Sequence, residues 1–182
     1  MQWRLACREA RRRGLASQCR FHLRSYDNPI EERYDAVVSI ESLVHSQSFP
    51  DTLRNLAQAL KPEGKLVMVE DIPLDAAAGD RDLELMRQYW GLATVPAASS
   101  YSAALAANGL RVVHDVDYSD GFRTMAPGRI AQLEQRYLKI HAMLPLAGPR
   151  FVVSAFLGGL ALERLYQKKL VRYRLLVAQR EN

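Results

Sequence analysis

The chain has 182 residues, 48% hydrophobic and 25% charged, with a formal net charge of +5. That length suits one domain able to bury a proper core, and the composition excludes a disordered chain. Cys7 and Cys19 are too far apart for a CxxC motif, and no signal peptide implies an oxidising compartment, so both are expected to be reduced, semi-buried thiols of a cytoplasmic protein.

In chain order, Trp3, Ala6, Cys7 and Ala10 share one helical face, and Gly14-Leu15 supplies a stop. Arg11-Arg12-Arg13 falls where this helix ends, and cations suit a helix C-terminus. With no interleaved aromatic residues and no zinc-finger or RNP signature, the run reads as a solvated helix end and not as a nucleic-acid patch. Arg20 to Arg24 is expected to be a short strand with Phe21 and Leu23 on one side. Tyr34 to Ile40 (YDAVVSI) is compact, apolar and β-branched, as a central strand covered on both faces would be. Ser48, Pro50 and Asp51 then make an N-terminal cap and first turn for a helix carrying Leu53, Leu56, Ala57 and Leu60. Lys61-Pro62-Glu63-Gly64 ends that helix in a turn, and Lys65 to Glu70 (KLVMVE) is a second buried strand. Strand, helix, turn and strand make a βαβ unit, whose right-handed crossover implies a parallel pair and an α/β fold.

Further along, Leu83, Met86 and Trp90 mark a helix. Ser99 or Ser100 caps another that ends at Asn108-Gly109. Leu110 to Tyr118 reads as a strand with Val112, Val116 and Tyr118 on one side. A helical stretch carries Ile130, Leu133, Tyr137, Ile140 and Leu144, a second apolar segment runs from Phe151 to Tyr166, and Val171 to Val177 alternates as a half-exposed final strand. Pro145, Pro149 and Arg150 break the apolar stretch at 143–162, and the clean run that remains is too short to span a bilayer. A buried or interfacial helix is expected there, with no integral membrane segment.

YDAVVSIESLVHS, a helix, and then LKPEGKLVMVED resemble the fourth through fifth strands of class I S-adenosylmethionine-dependent methyltransferases. The usual family forms are an "FDxVxS…H" strand end and an "LKPGGxL" turn, and SYSAALAANGLRVV is similar to the family's next helix and strand. The likeness is strongest to small-molecule enzymes of the sterol, tocopherol and cyclopropane-synthase type, where a Glu and a His close the fourth strand much as Glu41 and His45 do. The resemblance implies a partial Rossmann-like sheet, mostly parallel with an antiparallel C-terminal strand, and S-adenosyl-L-methionine as cofactor. It implies methyl transfer to a small, apolar acceptor. Tyrosine-containing NPPY-like signatures of base methylation are absent, SIES standing in that place, so no nucleic-acid partner is expected.

The family's first strand, its GxGxG loop and the acidic residue that holds the ribose have no counterpart in the sequence. On about 30 residues per βαβ unit, roughly 50–70 residues would precede the chain, and the expectation is an N-terminally truncated domain. A catalytically inactive fragment or a binding module with this fold is the alternative. The family's adenine-contacting segment corresponds to Ser25, Tyr26 and Asp27, although Asp27-Asn28-Pro29 also reads as a plain turn. Ile40 and Glu41 sit at the C-terminal end of a parallel strand, the edge where open α/β sheets bind ligands.

Glu41 and His45, four apart, are the candidate catalytic pair, with His45 suited to general-base work and Glu41 to orienting it or to stabilising positive charge. The alternative is that His45 is a positioning residue that hydrogen-bonds backbone in the loop. No metal is implied, since His22, His114 and His141 lack ligand spacing. Residues 121–169, between the last two strands, are expected to be a helical insertion forming a lid with the Tyr89-Trp90 helix. Gly158-Gly159 would be its hinge or a close packing point, and a homodimer contact is a further reading of the same helices.

Overall fold

The computed structural model describes residues 2–121 and 123–181; Phe122, inside the expected 121–169 insertion, lies outside them. Helix α1 (Gln2–Arg12) ends at Gly14, whose φ of +71° lets the Leu15 N–H reach back to the Ala10 carbonyl at 2.8 Å. Arg12 and Arg13 fold onto Glu9 in the same last turn. Strand β1 (Tyr34–Ile40) follows, then a 3-10 turn (Leu43–His45), α2 (Phe49–Gln58), β2 (Leu60–Pro73), α3 (Arg81–Trp90), α4 (Ala98–Ala107), β3 (Leu110–Asp117), α5 (Pro127–Met143), α6 (Ala147–Gln167) and β4 (Val171–Arg180).

The sheet runs in the order β1-β2-β4-β3. β1 and β2 pair in parallel, while β4 is antiparallel to both β2 and β3. Three strands therefore point one way and only the C-terminal strand is reversed, in agreement with the α/β Rossmann-like expectation.

Two cores hold these elements. Leu53, Leu56 and Ala57 of α2 and Tyr101 and Leu105 of α4 pack with Leu66, Met68 and Ile72 of β2. Alternate β2 residues face that layer, as a strand's two-residue period requires. A second cluster joins Met86 of α3 to Ala161 and Leu165 of α6 and to Val171 at the start of β4. Ion pairs reinforce it: the buried Asp82 carboxylate on α3 takes Arg164 Nε at 2.6 Å and Lys168 Nζ at 2.8 Å. Among the described residues no helix is long and apolar enough to cross a membrane.

Several local expectations need correction. Arg20–Arg24 is not a strand: no neighbour offers it a ladder, Leu23 stands 84% exposed, and the Trp3 indole N–H caps the Phe21 carbonyl. β2 begins at Leu60 instead of Lys65, because Leu60 already pairs with Tyr34 and residues 61–64 bulge within the strand. Ser99 and Ser100 lie inside α4, and Ala97 holds the cap position. An irregularity at Val113 shifts the register against β4, so Val112 sits opposite Ala178 while Val116 sits opposite Leu175. Adjacent-parity partners put Val112 and Val116 on opposite faces. Cys19 is exposed, not semi-buried.

Candidate functional site

The C-terminal ends of β1 and β2 lie side by side and are pinned by one carboxylate. Glu70 points into the interior with the Leu66-Met68-Ile72 face, where its Oε1 accepts the Ser39 hydroxyl at 2.7 Å and the Ser42 and Leu43 backbone N–H groups at 3.3 Å. Those bonds fold the chain beyond β1 into the 3-10 turn that carries His45. Burial wins over them electrostatically and lifts the Glu70 carboxyl above the usual range. Between strand and turn, Glu41 adopts φ +48°, a conformation costing a non-glycine residue about 1–2 kcal/mol. This left-handed step swings its side chain off the strand.

The Glu41 carboxylate accepts the Tyr173 hydroxyl of β4 at 2.8 Å. Next to it, Asp71 of β2 accepts the Tyr166 hydroxyl of α6. Burial raises the Asp71 carboxyl, the Tyr166 bond opposes that, and the Glu41 charge adds to the rise. Tyr173 is pushed up to about 12, by desolvation first and then by its bond to Glu41. Both phenols thus remain protonated donors near neutral pH, each clamping one carboxylate.

Two cavities meet at these carboxylates. One, of about 280 Å³, is lined by Glu41, His45, Glu70 and Asp71, with Tyr89, Trp90 and Phe151 as aromatic wall. The other, of about 270 Å³, also has Glu41 and Asp71 in its wall and extends towards Arg123, Glu163 and Tyr166. Trp90 is fixed in place: its indole N–H donates to the Ala155 carbonyl at 3.0 Å, and its ring covers Gly158 so closely that a Cβ there would lie 2.3 Å from Nε1. Gly158 is thus a close-packing point between α3 and α6.

Glu41 and His45 both line one cavity, and the Glu41 carboxylate is bonded by Tyr173. The His45 N–H bonds the Ser42 carbonyl within the turn. Ser25, Tyr26 and Asp27 form a loop beside the end of β1. The Tyr26 hydroxyl donates to the Ser42 carbonyl at 2.7 Å, and Asp27 Oδ1 accepts the Thr52 hydroxyl at 2.6 Å and the Gln47 N–H at 3.2 Å. Asp27 Oδ2 accepts the Ser25 hydroxyl at 2.9 Å. Asp27 therefore ties the loop to α2. Ile40 is 61% exposed at the end of β1.

Sequence reasoning missed Glu70, Asp71, Tyr166 and Tyr173. Glu70-Asp71 carried a usable signal, two acids near the C-terminal end of the second strand of a parallel pair. The tyrosines carried none. Among the described residues no group of three or more His, Cys, Asp and Glu is arranged to hold a metal ion.

Comparison with known proteins places this geometry in context. No curated protein sequence matches the chain. Geranyl diphosphate C-methyltransferase from Streptomyces coelicolor A3(2), crystallised with Mg2+, geranyl diphosphate and S-adenosyl-L-homocysteine, is similar at 17% identity and a TM-score of 0.72 over 98% of this chain and 59% of that one. The O-methyltransferase of a Brevibacillus brevis trans-AT PKS multienzyme, in complex with S-adenosyl-L-homocysteine, gives 15% identity and 0.69 over 99% and 55%. The [4+2]-cyclase SpnF gives 24% and 0.68 over 99% and 62%. The chain thus spans little more than half the length of these proteins, and at such identities the likeness establishes the fold alone. The family model described as a methyltransferase domain goes further, matching residues 7–115, the span from α1 through most of β3. With more than half of its 182 residues so matched, the chain belongs to the methyltransferase-domain family.

Proposed function

We propose that the chain is the acceptor-side part of an S-adenosyl-L-methionine-dependent methyltransferase acting on a small molecule with a largely apolar body. The observation that carries this reading is the cavity at the C-terminal ends of β1 and β2. It brings Glu41 and His45 together under a wall of Tyr89, Trp90 and Phe151, at the edge where open α/β sheets bind ligands.

The residues present fit one side of a cofactor site. Tyr26 and the 25–27 loop abut the end of β1, where Ile40 offers exposed apolar surface and Glu41 turns away from the strand. Asp27 spends three hydrogen bonds on its own loop and α2, so Ser25 and Asp27 would shape the adenine side more than grip it. The bound cofactor supplies a methyl group on a sulfonium. This chain's residues would align the acceptor and manage its proton. Glu41, steadied by Tyr173, would stabilise positive charge at the acceptor, and His45 would take the proton. α5 and α6, the helical insertion at 121–169, would act as a lid, since Phe151 and Ala155 of α6 form part of the cavity wall.

Calorimetric titration of S-adenosyl-L-homocysteine into the chain tests the cofactor side, and micromolar binding is expected if its residues suffice. In a catalytically active form, His45→Ala and Glu41→Gln should each lower kcat by about 10²–10⁴-fold while leaving cofactor affinity nearly intact. Normal turnover in both variants would remove the catalytic assignment and favour a binding module of the same fold.

A further inference from the structure

We propose that the acceptor bound in the Glu41–His45 cavity carries a protonated amine on an apolar or aromatic body, an assignment that rests on the methyltransferase reading above. The protein as a whole is basic, with a formal net charge of +5. The cavity is not. Glu41, Glu70 and Asp71 enter its wall, and among the described residues no lysine or arginine does. The adjoining cavity contributes one guanidinium, that of Arg123, against Glu41, Asp71 and Glu163. A phosphate or carboxylate placed here would face at least two carboxyl groups at short range in a partly desolvated space, where like charges repel most strongly. A cation meets the opposite field.

The rest of the wall suits the same ligand. Tyr89, Trp90 and Phe151 present aromatic surface, and ring faces attract ammonium groups through their quadrupole while accepting apolar carbon. Trp90 cannot drift, because Ala155 holds its indole N–H and Gly158 lies directly beneath its ring. Glu41 and Asp71 are likewise held, by Tyr173 and Tyr166 on two other elements. A site made of fixed carboxylates and fixed rings is already organised for a cation, which lowers the cost of binding. Burial raises the Glu70 and Asp71 carboxyls, and an ammonium beside them would favour their charged forms. His45, in the same wall, is the base that takes the proton of the seated ammonium, leaving a neutral amine lone pair.

The probes are 2-phenylethylamine, 2-phenylethanol and 2-phenylethyl phosphate, equal in hydrocarbon and different in charge. The chain has two tryptophans, Trp3 and Trp90, so a Trp3→Phe background makes the fluorescence report on this cavity. Titrations are run on that chain with and without S-adenosyl-L-homocysteine, and repeated on Glu41→Gln and Asp71→Asn with folding checked by far-UV circular dichroism. The amine is expected to bind about tenfold or more tightly than the alcohol, with the phosphate weakest, and each substitution should erase most of that preference. An alcohol as tight as the amine, or a preferred phosphate, overturns the proposal, as does an amine preference unchanged in both variants. If S-adenosyl-L-homocysteine binds while the alcohol wins, the charge assignment fails and the methyltransferase reading stands. If the amine wins but S-adenosyl-L-homocysteine never binds, the cation site stands and the methyltransferase reading of this chain fails. No binding by any of the four overturns both.

Discussion

Glu70 carries the clearest pH dependence at the scale of single residues. Its carboxyl is raised in the folded chain, by burial first, from an unfolded value of 4.5. The folded state therefore holds a proton that the unfolded chain releases. This contribution to stability is fully present below pH 4.5 and is lost as pH rises through the raised folded value. Glu70→Gln keeps the acceptor oxygen for Ser39, Ser42 and Leu43 without the buried charge. Urea unfolding of the two proteins should give similar midpoints near pH 4, with the variant progressively more stable towards pH 7; a variant that is less stable at pH 7 would contradict this account. Asp71 is raised in the same direction, and its charge adds to the rise at Glu70, so relief of that repulsion in the variant adds to the gain towards pH 7. A second residue-level prediction concerns the turn inside β2, where Glu63 stands at φ +62° and the family form has glycine. Glu63→Gly should stabilise by about 1 kcal/mol, less the exposed bond from Gln179, read as a higher thermal midpoint.

At the scale of elements, what was legible in the sequence divides by the range of the contacts involved. YDAVVSI and the Leu53-Leu56-Ala57 face announced β1 and α2 because a strand's apolar run and a helix's period are local properties. Phe21 and Leu23 alternate just as a strand would, yet a strand also needs a partner ladder, and residues 20–24 have none. The site shows the same division. That Glu41 and His45 lie close together follows from their spacing of four just beyond one strand. Tyr173 and Tyr166 were not legible, since they reach Glu41 and Asp71 across 132 and 95 residues of sequence, and no periodicity encodes a contact of that range. The crossing of α3 and α6 belongs here too. Gly158→Ala should place a methyl inside the Trp90 ring and destabilise by about 1–3 kcal/mol, lowering the urea midpoint and altering Trp90 emission. An unchanged midpoint and spectrum would mean that the helices separate easily, as a hinge would require.

For the molecule as a whole, the sheet ends in two edge strands, β1 and β3. Among the described residues β1 pairs with β2 alone, and two of its apolar side chains stand in solvent, Val38 at 62% and Ile40 at 61% exposed. Apolar strand edges invite pairing with another chain. This chain is expected to self-associate with rising concentration, and Val38→Lys should shift it towards monomer in size-exclusion chromatography with light scattering. Association untouched by the lysine would place the contact elsewhere, for instance on α5 and α6.

The position of β4 bears on how the protein is made. Among the described residues β3 pairs with β4 alone, and β4 follows it in the chain after α5 and α6. During translation β3 leaves the ribosome well before its sole partner, with α5 and α6 synthesised in between. At about 5–20 residues per second that interval lasts several seconds. Through most of it, Asp71 and Glu41 lack the tyrosines that later hold them. The nascent chain thus fastens its two site carboxylates in turn, and a ribosome that halts between Tyr166 and Val171 leaves a chain able to hold Asp71 but not Glu41.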